Sequence, residues 1–253
     1  MMDLSIVIPA FNESRKIGAD IKAASVFLQD SHLSGQIIVV DDGSSDGTAE
    51  AAKTVGTDLP AEVKLEVIHS NKHHGKGYVV RRGVAASSGE YVMFADSGNC
   101  VPYSNVFKGL KLLKDDVCDI AHGSRKMKDS RIERAQSLYR RICSRFFHWF
   151  AIWFMKMPAE FTDTQCGFKI YKGEVARKLY RQCISDGFLF DVEIIMRAAR
   201  QGYRIKEFPI EWRCDRDSRL LPARSLVSLV SEVTNIKRAV GKLREGKTGA
   251  KED

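Results

Sequence analysis

Acidic side chains follow three short apolar runs in the first hundred residues of this 253-residue chain. Glu13 follows LSIVIPAFN, Asp41 and Asp42 close QIIVVDD, and Asp96 follows EYVMFA. Turn formation and helix capping account for Asp46 in DDGSSDGT, but not for the two adjacent aspartates before it. A carboxylate at the end of a strand can accept a hydrogen bond from a base or a ribose. The pattern therefore favours a ligand site over a simple turn.

A second feature is charge. The net charge is +8, and the stretch 122–145 is rich in arginine and lysine. Such a balance calls for an anionic partner, namely a nucleotide, a nucleic acid or a membrane surface. A solvated surface is the simpler explanation for Lys126 and Lys128 in the same stretch.

The elements that would position these side chains alternate between apolar strands and helices. Continuous apolar runs separated by helices are typical of parallel strands covered on both faces, so the pattern predicts a doubly wound α/β sheet. Ligands of such sheets bind outside the carboxyl ends of the strands, where the polar residues occur here. We expect strands over 4–9, 36–41, 64–69, 90–95, 166–171 and 204–212, and helices over 13–29, from 46, and over 77–87, 191–201 and 225–243.

Composition excludes several classes of protein. Hydrophobic residues make up 44% of the chain and charged residues 28%, which is enough for a folded core. The six cysteines form no Cys-x-x-Cys pair, which excludes a zinc ribbon and fits a reducing compartment. No apolar run reaches the roughly 18 residues of a membrane span, and the start lacks a basic region and a cleavage site. We expect no signal peptide, no transmembrane span and a peripheral location at the cytoplasmic face of a membrane.

The membrane expectation depends on an amphipathic helix predicted over about 134–157. Its most apolar part, FFHWFAIWFM, has only ten residues and is too short to span a bilayer. Aromatic residues opposite arginines are typical of a helix that lies in the membrane interface, although a core helix or a dimer contact would show a similar pattern. The apolar face would contain Leu138, Ile142, Phe146, Trp149, Phe150 and Trp153, and the polar face Arg134, Arg141, Arg145 and His148.

Several segments together resemble a known family. IVIPAFNE, VVDDGSSDGT and HHGKGYVVRRGVAASSGEYVMFAD resemble the nucleotide-sugar half of inverting family-2 glycosyltransferases. HGSRKMKDSRIERAQSLYRR, DTQCGFKIY and FLFDVEII are similar to a narrower group, the dolichyl-phosphate glucosyltransferases and their polyprenyl-phosphate relatives, which include the dolichyl-phosphate mannose synthases. The resemblance covers about residues 4–221. It implies a GT-A fold, a Rossmann-like doubly wound sheet, over 1–221, with 222–253 as a C-terminal amphipathic helix and polar tail.

The resemblance also implies a donor site at the strand ends and the glycine-containing loop. There Lys76 would offset the charge of the diphosphate. The residues implied for the donor are Pro9, Phe11, Glu13, Asp41, Asp42, Gly75, Lys76 and Asp96.

The sequence departs from the family at its metal motif. That motif usually reads Asp-x-Asp, and two carboxylates hold a divalent ion that bridges the donor diphosphate. Here Asp96 matches the first carboxylate, but Gly98 stands at the position of the second. Asp96, with Asn99, could still hold Mg²⁺ or Mn²⁺, since such ions prefer oxygen ligands and keep several waters. Alternatively, basic side chains stabilise the leaving diphosphate without metal, or the protein does not turn over.

For the acceptor, the resemblance implies a lipid monophosphate. Transfer to a hydroxyl needs a general base, whereas a phosphate with a second pKa of about 6 is already ionised near neutral pH and needs cations that position it. Arg125 and Arg140 match the family's acceptor-phosphate positions, and Arg219 could assist them. Asp163 lies where other family-2 enzymes carry a base; here it could orient the acceptor or an arginine.

The resemblance thus implies an inverting transferase that moves a hexose, in the first place glucose from UDP-glucose, onto polyprenyl or dolichyl phosphate at a membrane surface. A hydroxyl acceptor on a glycolipid or polysaccharide is the first alternative, and in that case Asp163 would be an essential base. A nucleotide-sugar binder without activity is the second, prompted by Gly98. Nucleic-acid binding is disfavoured, because the acidic strand ends would repel phosphates. The oligomeric state stays open.

Overall fold

Strands and helices alternate along the first half of the chain, as the apolar pattern predicts. The computed structural model describes residues 2–134, 161–213 and 226–245. The strands are β1 (Leu4–Ala10), β2 (Gly35–Asp41), β3 (Val63–His69), β4 (Tyr91–Ala95), β5 (Ile120–Ser124), β6 (Arg131–Arg134), β7 (Phe168–Lys172), β8 (Ile205–Pro209) and β9 (Glu211–Arg213). The helices are α1 (Ile17–Asp30), α2 (Thr48–Gly56), α3 (Lys76–Ala86), α4 (Val106–Lys114), α5 (Gly173–Gln182), α6 (Phe190–Arg200) and α7 (Leu226–Glu245), with a 3₁₀ turn at Tyr103–Asn105.

Seven strands form the main sheet in the order β3-β2-β1-β4-β7-β5-β8. Strands β1 to β4 are parallel, as expected, but β7 runs antiparallel to β4 and β5. Because Phe168 at the start of β7 pairs with Ala95 at the end of β4, the segment before β7 lies at the carboxyl edge of the parallel strands. This reversal places DTQCG beside the acidic strand ends.

Helices cover both faces of the sheet. On one face, α1, α2 and α4 pack on the strands through residues such as Ile21, Ala52 and Leu110. On the other face, α3, α5 and α6 pack through residues such as Val80 and Leu179. The doubly wound α/β architecture expected from the sequence is therefore confirmed.

The C-terminal helix α7 extends this second layer. Its apolar face contributes Val233, Ile236 and Val240 to a buried cluster with Val192 and Ile195 of α6. Of the helical face predicted over 225–243, Val233, Ile236 and Val240 are buried, whereas Val230 is 52% exposed.

Two sequence expectations differ from the structure. The strand expected over 204–212 is broken into β8, which joins the main sheet, and β9, which pairs with β6 in a separate ribbon. Arg134, expected at the start of the amphipathic helix, is the last residue of β6. The rest of that helix (135–157), with Arg140, and also Arg219 lie outside the described residues. Among the helices within the described ranges, none is long and apolar enough to cross a membrane.

Candidate functional site

The loops that follow β1 and β2 are joined by hydrogen bonds at the carboxyl edge of the sheet. The backbone N–H of Asn12 donates to Ser44 Oγ at 2.7 Å, and that of Glu13 donates to Thr48 Oγ1 at 2.8 Å. Asp46 accepts from the backbone N–H groups of Ser14 and Thr48, at 3.0 and 3.1 Å. Burial opposes its charge, but these bonds and that of the Thr48 hydroxyl lower the pKa of Asp46 to about 2. The edge is therefore a rigid surface.

Asp41 and Asp42 are both buried, and protein groups already bind their carboxylates. Asp41 accepts from the Ser44 hydroxyl and contacts His69 Nδ1 at 2.7 Å. Asp42 accepts from the backbone N–H groups of His74 and Gly75, at 2.9 and 2.8 Å. In this structure, then, Asp42 organises the loop that precedes α3, a role that the sequence analysis did not foresee.

Two aromatic rings lie beside these carboxylates. Phe11, in the loop after β1, has its ring centroid 4.2 Å from that of His73, and His73 Nδ1 lies 2.8 Å from Asp42 Oδ2. The His73 side chain is half exposed. Pro9, near the end of β1, is partly buried. The pair of rings offers a stacking surface for a flat heterocycle at the site expected for the donor base.

The glycine-containing loop packs against the segment that precedes α6. Gly75 has a φ of +124°, and a Cβ there would lie 2.5 Å from the carbonyl oxygen of Asp186. A Cβ on Gly77 would lie 2.4 Å from the carbonyl oxygen of Ser185. These glycines are required for close backbone packing, and that packing fixes the start of α3.

Lys76, the first residue of α3, meets Asp96 at the end of β4. The distance from Lys76 Nζ to Asp96 Oδ1 is 2.6 Å, and both side chains are partly open to solvent. Burial disfavours the charged amine, but the carboxylates of Asp96 and Asp191 outweigh it and raise the pKa of Lys76. Gly167 leaves room for Asp96, because a Cβ there would overlap the Asp96 carboxylate. The lysine is a fixed cation at the edge of the sheet.

A second ion pair lies behind the first, and the sequence analysis did not single it out. Lys169 Nζ donates to Asp191 Oδ1 at 2.5 Å and to the carbonyl of Cys166 at 2.8 Å. It also lies 5.1 Å from the centroid of the Phe94 ring, which Lys76 Nζ approaches at 5.8 Å. Burial raises the pKa of Asp191, and the nearby lysines offset this only in part. A lysine between Phe168 and Ile170 in a buried strand was the available signal.

Arg125 and Asp163 form a third pair. Arg125 directly follows β5, and its Nε and Nη2 donate to the two carboxylate oxygens of Asp163 at 2.6 and 2.7 Å. The backbone N–H of Arg125 adds a bond at 3.1 Å, and its guanidinium lies 5.2 Å from the Trp212 ring centroid. Glu207 on β8 accepts from the Asp163 backbone N–H at 2.8 Å, which fixes the pair.

This pairing decides what Asp163 can do. Burial would raise the pKa of Asp163, but the hydrogen bonds and charge of Arg125 prevail and lower it. A buried carboxylate that is held ionised and bonded through both oxygens is a poor general base. It is well suited to orient the guanidinium.

His122 on β5 is a buried group that the sequence analysis left out. Neither of its ring nitrogens has a hydrogen-bond partner in the part of the chain that the structure describes. Burial, together with the charge of Lys169, holds the pKa of His122 well below its usual value. The imidazole is therefore neutral and is not a cation of the site.

The sequence was also compared with known proteins. The model of the family described as "Glycosyl transferase family 2" matches residues 5–180. The chain belongs to glycosyltransferase family 2. The dolichyl-phosphate beta-glucosyltransferase of Homo sapiens is 31% identical over 233 residues, which cover 87% of this chain and 70% of that protein. The enzyme of the same name from Saccharomyces cerevisiae is 29% identical over 253 residues, with 93% and 74% covered.

Solved structures share the fold at lower identity. Glucosyl-3-phosphoglycerate synthase of Mycobacterium tuberculosis, in a complex with Mn²⁺, UDP and glucosyl-3-phosphoglycerate, has a TM-score of 0.60 at 19% identity and covers 96% of this chain and 80% of its own. S. aureus TarS 1-349 with UDP-GlcNAc has a TM-score of 0.62 at 16% identity, with 94% and 66% covered. The expected GT-A fold and the expected glycosyltransferase family are both confirmed.

The residues of this glycosyltransferase do not fit the two-carboxylate metal site of the sequence motif. Asp20 of α1 uses its carboxylate to accept from Ser97 Oγ at 2.8 Å and from the Gly98 N–H at 2.9 Å. Within residues 2–134, 161–213 and 226–245, no three His, Cys, Asp or Glu side chains form a group that could hold a metal ion. Asn99 Oδ1 and Asp96 Oδ1 are both buried and have no hydrogen bond among the described residues, although Lys76 Nζ lies 2.6 Å from Asp96 Oδ1. Asp20, Asp96 and Asn99 line a cavity of about 20 Å³.

Proposed function

We propose that this glycosyltransferase moves a hexose, in the first place glucose from UDP-glucose, onto a polyprenyl phosphate such as dolichyl phosphate, with inversion at the anomeric carbon. A phosphate oxygen of the acceptor forms the new bond to the anomeric carbon as the bond to UDP breaks, and UDP leaves with the electron pair. The names of the human and yeast relatives support a glucosyl group and a dolichyl-phosphate acceptor. The choice of UDP is supported by the UDP complex of a solved structure with the same fold.

The observation that carries the proposal is the fork between Arg125 and Asp163. An acceptor hydroxyl would need a base to remove its proton. The candidate base, Asp163, is buried and already bonded to Arg125 through both oxygens. A phosphomonoester is mostly ionised at neutral pH and needs an oriented cation rather than a base. The guanidinium, held from one side by Asp163 and lying over Trp212, supplies that cation.

On the donor side, the proposal assigns the uracil to the surface formed by Phe11 and His73. Asp42 holds His73 of that surface, and Asp41 binds His69 at the end of β3. Pro9, in β1, and Glu13, in the loop that follows it, lie on either side of Phe11 in the sequence. Gly75 fixes the start of α3, and Lys76 faces the diphosphate. This assignment is supported by the contact between the Phe11 and His73 rings and by the position of Lys76 at the same edge of the sheet.

Two further parts of the proposal concern residues outside the described ranges. Arg140 is proposed as a second cation for the acceptor phosphate, and the segment 135–157 as the part that lies in the membrane interface at the cytoplasmic face. We further propose that 1–221 is the catalytic domain. The family resemblance supports Arg140 and the domain bounds, and the amphipathic pattern supports the membrane segment. Mg²⁺ or Mn²⁺ at Asp96, as the resemblance implies, is not part of this proposal, because the described residues form no group that could hold a metal ion; a solved structure with the same fold does contain Mn²⁺.

A transfer assay with liposomes tests the proposal. Liposomes that contain polyprenyl phosphate are incubated with the protein and, in separate reactions, with UDP-glucose, UDP-GlcNAc, UDP-galactose or GDP-mannose. We expect labelled lipid from UDP-glucose and none from liposomes that lack the phosphate. Transfer from another donor alone would correct the sugar but keep the acceptor. Binding of UDP-glucose without transfer to any lipid would favour a non-catalytic binder and contradict the proposal.

A further inference from the structure

We propose that the ammonium group of Lys76, held by Asp96, is the cation that offsets the charge of the leaving diphosphate, and that it acts in place of a divalent ion. This inference rests on the proposed function and specifies how its donor site works. It assigns a task to an ion pair that lies where the family motif would hold a metal.

The geometry of the pair supports this role. Lys76 Nζ lies 2.6 Å from Asp96 Oδ1, so the amine occupies the carboxylate that a metal would otherwise use. The Lys76 side chain is 19% exposed and the Asp96 side chain 39%, although Asp96 Oδ1 itself is buried, so solvent reaches part of each side chain. Hydrogen bonds between an ammonium and a phosphate oxygen are short and strong, because both partners are charged.

The loop after β4 supplies no second carboxylate for a metal ion. Gly98 has no side chain, and its φ of +96° is a conformation that side-chain-bearing residues rarely adopt. Asp20, the nearby carboxylate from α1, accepts the Gly98 N–H and the Ser97 hydroxyl and is buried. Asp20 therefore stabilises the turn at Gly98, and its carboxylate would have to give up these hydrogen bonds to bind a ligand.

The charges of the family's metal site and of the Asp96–Lys76 pair also favour a site without a metal ion. Two aspartates with a divalent ion sum to zero, and so do Asp96 and Lys76 without any metal. Adding a divalent ion to Asp96 would place it next to the ammonium group on a single carboxylate, which like-charge repulsion disfavours. The replacement of the second aspartate by glycine and the lysine bound to the first are thus consistent with each other.

The test measures UDP binding, so it does not depend on the acceptor. Titration calorimetry compares UDP and GDP with the full chain, in EDTA and in Mg²⁺ or Mn²⁺. We expect UDP to bind with a similar Kd in EDTA and in either metal. Lys76→Met should weaken binding about tenfold or more, since it removes a charged hydrogen-bond donor. Lys64→Met is the matched control, because Lys64 is an exposed lysine at the amino end of β3, whereas the site lies at the carboxyl ends of the strands.

Gly98→Asp and Gly98→Asn test whether a second carboxylate makes UDP binding depend on a metal ion. Both introduce a side chain of similar size at the same positive φ, but only the aspartate restores the second carboxylate. We expect UDP binding by Gly98→Asp to fall in EDTA and recover in Mg²⁺, and binding by Gly98→Asn to be equal in both. Wild-type binding that is lost in EDTA and restored by Mg²⁺ or Mn²⁺ would overturn this inference and leave the proposed function intact. If neither nucleotide bound under any condition, both would be overturned.

Discussion

Replacing either member of the Arg125–Asp163 pair should separate the two possible acceptor chemistries. Arg125→Lys keeps the positive charge but loses the fork that donates to both carboxylate oxygens, at 2.6 and 2.7 Å. A hydrogen bond to a charged group contributes about 1.5–3 kcal/mol, so we expect the free energy of unfolding to fall by about that amount. Asp163→Asn removes the counter-charge of a mostly buried guanidinium, and breaking such a pair costs about 3–5 kcal/mol.

Stability and kinetics are measured on the same preparations. Urea denaturation gives the free energy of unfolding, and glucose transfer is followed at increasing polyprenyl phosphate in liposomes. If Arg125 positions the acceptor phosphate, Arg125→Lys lowers kcat/KM for the lipid by about tenfold or more. Asp163→Asn has the smaller kinetic effect, because the cation remains. Arg181→Lys, an exposed arginine in the last turn of α5, is the control.

The dependence of the transfer rate on pH is a second test of whether the acceptor is a phosphate or a hydroxyl. With a phosphate acceptor, the rate falls below about pH 6 as the lipid phosphate takes up its second proton, in the wild type and in Asp163→Asn alike. The reasoning is refuted if folded Asp163→Asn loses transfer completely while Arg125→Lys behaves as the wild type. That result would make Asp163 a general base and the acceptor a hydroxyl.

Three further predictions concern stability and the shape of the site. The pKa of His122 is depressed in the folded state, so below about pH 6.5 the unfolded chain binds more protons than the folded chain. The free energy of unfolding should therefore fall by up to about 1.4 kcal/mol for each unit by which the pH is lowered in that range. Denaturation at several pH values should show a smaller slope for His122→Gln; an unchanged slope would contradict a neutral, buried imidazole. Asp20→Ala should lower the free energy of unfolding by about 1–3 kcal/mol, because it leaves two donors of the loop after β4 without an acceptor; a melting temperature equal to that of the wild type would contradict this. Gly167→Ala should displace Asp96 and weaken UDP binding by the folded protein, whereas Gly241→Ala, with open space around its Cβ, should not; calorimetry on both variants checks the contrast.

The sequence predicted those elements whose pattern is local. Strands β1, β2 and β4 are mostly apolar, whereas β3 alternates Lys64 and Glu66 with apolar residues. The expected bounds of all four strands agree with the structure to within a residue. Strand β5 was missed, because IAHGS carries a histidine and a glycine in a buried strand. The direction of β7 and the break near Ile210 could not be predicted, since both depend on pairing with strands that are distant along the chain.

In the candidate site, too, the sequence indicated individual residues but not the contacts between residues that are distant along the chain. The sequence identified Asp41, Asp42, Lys76 and Asp96 as polar residues at strand ends or in the loop that follows them. It could not show that Asp42 binds the backbone of the loop after β3, because that contact joins residues 32 and 33 positions apart. Buried pairs such as Lys169 with Asp191 were missed for a similar reason: each residue alone is a charge in an apolar segment, and only the fold shows its partner.

The most direct test of the central claim is a comparison of two acceptors that differ by one group. Liposomes with polyprenyl phosphate and liposomes with the matching polyprenol receive the same labelled UDP-glucose, and the anomeric configuration of the product is determined by NMR. The account predicts β-linked glucosyl phosphate from the first liposomes, with release of UDP, and no product from the second. Transfer to the polyprenol at a comparable rate, or an α-linked product, would contradict it.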